Sequence, residues 1–355
     1  MASKPVLALA MGDPAGISPE LTAKVLADPQ VRAAADFIVI GDRRVLAAGE
    51  RTAKTSVDVA VWTPGRGALP AGDKPIFVDL GHLDPARIKR GEATATGGGF
   101  ALANFRAALA LAAKGGADAV TFTPFNKFAM RQALPGYDDE IALISEATGG
   151  THQGREFNIL EGLWNARVTS HVPLKDVARH ISKDAVLGAI VLTDRCMREA
   201  GFARPRIAVA GLNPHAGDNG NFGREEIDAI APAIAQAQQR GIACEGPFPS
   251  DTVFLRAKRG DFDAVQTMYH DQGQIAMKLI GFVQGITLIG GYPFPVCTPA
   301  HGTAYDIAGK GNAHVGATRN AMLIAARMAK PARSDPASRA RLLNEIAASV
   351  LKRAA

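Results

Sequence analysis

Val6-Leu7-Ala8-Leu9-Ala10-Met11, followed at once by Gly12-Asp13-Pro14-Ala15-Gly16, decides the fold. A short apolar run that ends in a glycine-rich turn has the length of a buried strand, and the segment beyond it, Pro19–Leu26, has helical spacing. The alternation continues outward through Phe37–Ile40 and Arg43–Ala48, with further strand-like runs at Ala117–Thr123, Arg206–Ala210 and Ala264–Tyr269. Such alternation predicts α/β architecture with a largely parallel sheet. The first helix is expected to start near Pro19 with Ser18 as its cap. A second lies between Gly99 and Lys114, where Phe100, Ala103, Ala107 and Leu111 recur at helical intervals and Gly115-Gly116 stops it. Glu225–Arg240, ended by Gly241, and Pro336–Lys352, capped by Asp335 with proline at the first helical position, are further helices. Pro64–Pro75 reads as a surface loop.

A chain of 355 residues, 47% hydrophobic and 21% charged, is an ordinary globular protein long enough for two lobes. Its 40 basic and 34 acidic residues give a net charge of +6 with no run of five like charges, and aromatics make up 6%. A thin basic excess suits an anionic metabolite or dinucleotide and argues against a nucleic-acid groove. Cys196, Cys244 and Cys297 form no C-x-x-C spacing, so neither a disulfide framework nor a zinc ribbon is read, and a reducing cytosol fits. With no basic leader and no apolar run near the ~20 residues of a membrane helix, a cytoplasmic protein without membrane contact is expected.

Three histidines directly follow strand-like runs: Val168-Thr169-Ser170-His171, Gly211-Leu212-Asn213-Pro214-His215 and Thr267-Met268-Tyr269-His270-Asp271-Gln272-Gly273. Ligands of parallel sheets gather beyond the carboxyl ends of the strands, so residues distant in sequence converge there. Neutral imidazoles from three such loops suit zinc, manganese, cobalt or nickel and leave positions open for substrate. His82, His152, His180 and His314 lack this setting and read as surface or structural residues.

Asp271 and Asp251 are placed to orient a ligand or to accept a proton from a metal-bound hydroxyl; for Asp251 a helix N-cap is the plainer role. Lys127 and Lys278 are candidates to bind an anionic substrate or supply a proton. Neither G-x-G-x-x-G nor a P-loop occurs, so the conventional dinucleotide fingerprint is missing. Two other glycine-rich turns, His215–Gly223 and His301–Gly309, either approach a ligand closely or simply turn the chain. They and the residues beside them make Asn213, Gly217, Gly220, His301, Gly302 and Thr303 the cofactor candidates.

These segments resemble the 4-hydroxythreonine-4-phosphate dehydrogenase family, related to isocitrate and isopropylmalate dehydrogenases. The resemblance runs from Gly12–Gly16 to His301–Gly309 and is most specific at Gly211–Gly217 and Tyr269–Gly273. It implies two α/β lobes around a cleft, here 1–128 with 282–355 and 129–281, and a homodimer whose active site lies at the subunit interface. It implies metal ligation by His171, His215 and His270 and substrate binding by Lys278. The cofactors it implies are NAD, or NADP, and a divalent ion (zinc, manganese, cobalt or magnesium). The reaction it implies is oxidation of a hydroxyl, followed by loss of carbon dioxide from a β-keto acid.

The sequence departs from that pattern where the family carries Gly-His-Thr-Glu, for this chain reads Gly136-Tyr137-Asp138-Asp139. Carboxylates at Asp138 and Asp139 would repel a substrate phosphate. The family's later arginine aligns with Val296, the Asp before its His-Gly-Thr with Ala300, and an asparagine with Thr287. Keeping the histidines while losing phosphate contacts points to a non-phosphorylated substrate, a cis-dihydrodiol carboxylate such as terephthalate dihydrodiol. The alternatives are 4-phosphohydroxy-L-threonine or a related four-carbon phosphorylated acid, a non-catalytic metabolite-binding homologue, and metal-assisted hydrolysis.

Overall fold

The computed structural model describes residues 4–281, 284–331 and 334–354. In chain order the elements begin β1 (Val6–Ala10), α1 (Ser18–Leu26), α2 (Pro29–Ala34), β2 (Asp36–Gly41), α3 (Arg43–Ala53), β3 (Ala60–Trp62), β4 (Ile76–Asp79), α4 (Ala95–Ala113), β5 (Ala119–Phe122), α5 (Lys127–Ala133) and α6 (Glu140–Ala147). They continue β6 (Arg155–Leu160), β7 (Leu163–Arg167), α7 (Lys183–Glu199), β8 (Ile207–Ala210), α8 (Ala231–Gln239), β9 (Cys244–Phe248), α9 (Ser250–Lys258), β10 (Ala264–Thr267), α10 (His270–Gly281) and β11 (Ile286–Gly290). The chain closes with β12 (Val296–Pro299), α11 (Gly316–Met328) and α12 (Pro336–Ala354). It forms two compact units, Met1–Gly154 with Tyr292–Ala355, and Arg155–Gly291. The boundaries expected at 128/129 and 281/282 are therefore displaced, and Phe282 itself lies outside the described residues. The physical reason is packing: α5 and α6 lie on α4, while β11 pairs with β6.

In the first unit the strands run in the order β3-β4-β2-β1-β5-β12, each pair parallel. β1 is buried along its whole length, as a strand of a parallel sheet covered on both faces must be. It has β2 on one side and β5 on the other, so the loops leaving β1 and β5 face each other at a topological switch point. There Gly12 N–H donates to Thr123 Oγ1 at 2.9 Å and Asp13 N–H to the Pro124 carbonyl at 3.0 Å. Ser18 is not the helix cap expected of it, because its hydroxyl donates to the Pro124 carbonyl at 2.7 Å. Helix α4 starts before the expected Gly99: Thr94 caps it, accepting from Gly97 N–H at 3.2 Å, in a stretch without apolar periodicity. The cap at Asp335 is as expected, accepting from Ala337 and Ser338 at 2.9 and 3.0 Å.

Asp42, fully buried at the end of β2, caps α3 and makes two bonds to the Arg44 guanidinium, at 3.0 and 2.8 Å; it also accepts from Leu83 N–H at 3.1 Å. Burial opposes ionisation of this carboxyl, but the Arg44 and Leu83 donors outweigh it and hold the pKa below the ordinary 3.8. A folded-state pKa below the unfolded one stabilises the fold above about pH 3.8, and the contribution is lost as pH falls through the lowered value. Asp42→Asn is expected to cost roughly 1–2 kcal/mol at neutral pH. It should also flatten the acid limb of the stability profile, as thermal melts across that limb would show.

The second unit has the order β11-β6-β7-β10-β8-β9. β7, β10, β8 and β9 are parallel, whereas β6 is antiparallel to both β7 and β11. The reversal is a two-residue hairpin, Glu161-Gly162, in which Gly162 takes φ +76°. Leu160, Leu163, Val253, Phe254, Phe262, Val265 and Met277 pack as one buried cluster. The expected helix Glu225–Arg240 opens with a π-turn, Glu226–Ile230, before α8. Among the described residues no helix is long and apolar enough to cross a membrane.

Candidate active site

β7, β10 and β8 are neighbours, and their carboxyl ends carry His171, His270 and His215 respectively. Beyond β7 and β10 the backbones stay paired. Val168 N–H donates to the Thr267 carbonyl at 2.9 Å, and the Met268 carbonyl accepts from Thr169 N–H at 3.0 Å and from Thr169 Oγ1 at 2.8 Å. The rails bring the His171 and His270 rings to a centroid separation of 5.8 Å, tilted by 41°. Two imidazoles on one ion, with metal–nitrogen bonds of about 2.0–2.1 Å, place their centroids roughly 5 Å apart, so the pair fits a shared ion. His270 Nδ1 lies 2.6 Å from Asp271 Oδ1, which directs Nε2 away from the carboxylate in the manner of a metal ligand's partner.

His215 reaches its place differently. From His215 to Asn219 five successive residues have positive φ, between 44° and 82°, a left-handed turn in which only Gly217 is unpenalised. Each of the other four costs about 1 kcal/mol or more. The turn is anchored by Glu226, which is buried: Oε1 accepts from Leu212 N–H at 2.7 Å and Asn213 N–H at 2.8 Å, and Oε2 from Asn213 Nδ2 at 2.9 Å. Asn213 Nδ2 also donates to Glu225 at 2.7 Å, so this amide serves the loop. Gly217 is a glycine because a Cβ would stand 2.7 Å from Glu226 Oε2, and Gly220 because its φ is +94°. Backbone demands thus account for both. Among the described residues no group of three or more His, Cys, Asp or Glu is arranged to hold a metal ion: one chain joins two imidazoles, not three.

Asp251 is exposed in the first turn of α9, whose N-cap position is Pro249, so capping is not its role. Lys278 is exposed on α10, the helix that His270 opens. Ile275 and Leu279 on the same helix are 62% and 83% exposed.

The remaining site residues belong to the first unit. Lys127 Nζ lies 3.2 Å from Glu140 Oε2, and Tyr137 Oη donates to Glu140 Oε1 at 3.0 Å. Asp139 is the N-cap of α6, accepting from Ala142 N–H at 3.0 Å, while Asp138 is exposed. Val296, the position aligned with the family's arginine, is fully buried and pairs with Val120 in the ladder. Of the departures from the family pattern, Asp139 therefore has a structural role as a cap.

His301 Nε2 is buried with no partner among the described residues, and burial pushes its pKa down, favouring the neutral imidazole. Gly302 faces open space, and the Thr303 carbonyl accepts from Ile17 N–H at 3.0 Å. Tyr305 Oη donates to Asp13 Oδ2, tying this segment to the first glycine-rich turn. Burial raises the pKa of Asp13, opposed by the bonds from Tyr305 and Ala15. Asp13 and Tyr305, with Glu140 and Glu226, are the residues that sequence reasoning left without a role. Glu140 and Glu226 stand among other charged residues, in Asp138-Asp139-Glu140 and Arg224-Glu225-Glu226, so nothing in the local pattern marked them.

Parallel strands with imidazoles at their carboxyl ends define the frame of an α/β enzyme, and comparison with known proteins makes it a dehydrogenase acting on a CH–OH group. The model of the pyridoxal phosphate biosynthetic protein PdxA family matches residues 33–325, and the chain belongs to that family. It is 61% identical over 331 residues to "Putative 4-hydroxythreonine-4-phosphate dehydrogenase 2" of Rhizobium meliloti (strain 1021), covering 93% of this chain and 95% of that one. It is 36% identical over 315 residues to the D-threonate 4-phosphate dehydrogenase of Pectobacterium atrosepticum, covering 87% and 94%. A crystal structure of 4-hydroxythreonine-4-phosphate dehydrogenase from Klebsiella pneumoniae superposes with TM-score 0.77 at 34% identity, over 93% of this chain and 100% of that one. The terephthalate 1,2-cis-dihydrodiol dehydrogenase of Burkholderia xenovorans LB400 gives 0.65 at 28%, over 91% and 98%. The resemblance read from Gly211–Gly217 and Tyr269–Gly273 is thus borne out at the level of the family.

Proposed function

We propose that this protein oxidises a secondary hydroxyl of a small phosphorylated four-carbon acid, of the 4-phosphohydroxy-L-threonine or D-threonate 4-phosphate kind. In this reading NAD, or NADP, accepts the hydride, and a divalent ion is held by His171, His270 and His215. The observation that carries it is the His171–His270 pair, 5.8 Å apart on adjacent strand ends. A divalent ion bound there supplies positive charge that makes the substrate hydroxyl easier to deprotonate. A bound nicotinamide would supply the hydride acceptor for the carbinol carbon, and the hydroxyl proton would go to a carboxylate. Asp271 already holds His270, which leaves Asp251 as the base. Lys278 binds an anionic group of the substrate, and the His301–Thr303 segment receives the dinucleotide. When the oxidised carbon is β to a carboxylate, the product is a β-keto acid, and loss of carbon dioxide follows.

The dihydrodiol reading rested on lost phosphate contacts. Asp139 has a role of its own as a helix cap, and relatives at 61% and 36% identity are both named for phosphorylated substrates, which favours the phosphorylated acid. The exposed Ile275 and Leu279 on α10 support a homodimer in which a second copy covers this apolar face. The test compares each phosphorylated acid with its dephosphorylated counterpart, following reduced nicotinamide. Phosphate held by charge-assisted bonds should make kcat/KM about 100-fold higher for the ester. Equal rates, or turnover of an aromatic cis-dihydrodiol carboxylate alone, would sink the proposal.

A further inference from the structure

We infer that Glu226 is a positioning residue for metal binding: through its carboxylate it fixes the left-handed turn that presents His215. The inference rests on the proposed metal site. The loop leaves β8 and immediately enters five positive-φ residues, a conformation that a polypeptide does not hold without external support. Besides backbone bonds such as Phe222 N–H to the Gly217 carbonyl, one buried side chain supports it. Glu226 accepts two backbone N–H groups at the entry to the turn, from Leu212 and Asn213, and the Asn213 amide as a third donor. Three glycines are fitted around the same anchor. A Cβ at Gly211 would come within 3.0 Å of Glu226 Oε1, one at Gly217 within 2.7 Å of Oε2, and one at Gly223 within 2.4 Å of Asn213 Nδ2. Glu226 itself sits in the first residue of a π-turn, a local widening that recurs at functional sites. His215, by contrast, is exposed, and Phe222 is its ring neighbour at 6.1 Å. The rigid part of the arrangement is therefore the backbone under the histidine, and Glu226 is what makes it rigid.

The experiment titrates Co²⁺ into the metal-free full-length chain and reads its visible absorption, which reports coordination directly. Hydrogen exchange over residues 211–223 is followed alongside it. Wild type should bind, and His215→Ala should weaken binding without raising exchange in the loop. Glu226→Ala should weaken Co²⁺ binding by about 10–100-fold, the usual effect of losing an outer-shell partner, and raise exchange in that loop alone. Should Glu226→Ala fail to fold, Glu226→Gln carries the test, because its one amide oxygen keeps the backbone acceptor and its NH₂ opposes Asn213; about tenfold weaker binding is expected. Wild-type affinity with unchanged loop exchange in the variant that folds would overturn the inference. Absence of Co²⁺ binding by wild type would instead overturn the metal reading, and the exchange data would still decide whether Glu226 holds the loop.

Discussion

Alanine at His171 or at His270 lowers kcat/KM for nicotinamide reduction by about a thousandfold, even at high metal concentration, while the fold stays intact. The size follows from the chemistry asked of the ion. Charge stabilisation by a bound metal is worth several kcal/mol in the transition state, and each 1.4 kcal/mol is about tenfold in rate. Both side chains lie at strand ends outside the hydrophobic clusters, His171 exposed and His270 half-buried, so their removal opens no cavity. Steady-state kinetics on the two variants, with thermal melts as the control for folding, would check this. Wild-type rates in either variant would remove the histidine pair from the mechanism.

A different kind of loss is expected from Gly12→Ala. A Cβ there would lie 2.2 Å from the Thr123 carbonyl oxygen and 2.3 Å from that of Pro124, both backbone atoms of the β1–β5 switch, and 2.8 Å from Ser18 Oγ. Backbone oxygens cannot swing aside as the tip of a flexible side chain can, so the two loops must separate. The cost should be about 3 kcal/mol, the upper end for overpacking, read as a lower urea midpoint with an unchanged slope. Gly302→Ala provides the contrast: nothing lies within 4 Å of its Cβ, and the same measurement should move by less than about 0.5 kcal/mol.

The fold was readable because its strands are short apolar runs punctuated by glycine, and its helices carry apolar spacing. Val6–Met11 and Ala264–Tyr269 became β1 and β10 with their ends shifted by one or two residues. Reversal at Glu161-Gly162 escaped notice, since a two-residue turn between two apolar runs leaves almost no mark on periodicity. The histidines were legible as residues that follow strands, yet what holds each was not. Asp271 adjoins His270 in sequence, whereas Glu226 reaches back fourteen residues to Leu212, in the loop of His215. Asp139 shows the opposite failing. An acid read only as a statement about substrate also caps α6, a local role that the sequence reading did not weigh. Burial was equally hidden at Val296: position in a motif says nothing of it, and this residue is in the core.

The central claim is tested most directly by supplying the full-length protein with 4-phosphohydroxy-L-threonine or D-threonate 4-phosphate, NAD and a divalent ion, and following absorbance of reduced nicotinamide before and after a chelator is added. The account predicts reduction that stops with chelation and resumes when zinc, manganese, cobalt or magnesium is restored. Reduction that continues unchanged in excess chelator, or none with either phosphorylated acid, would contradict it.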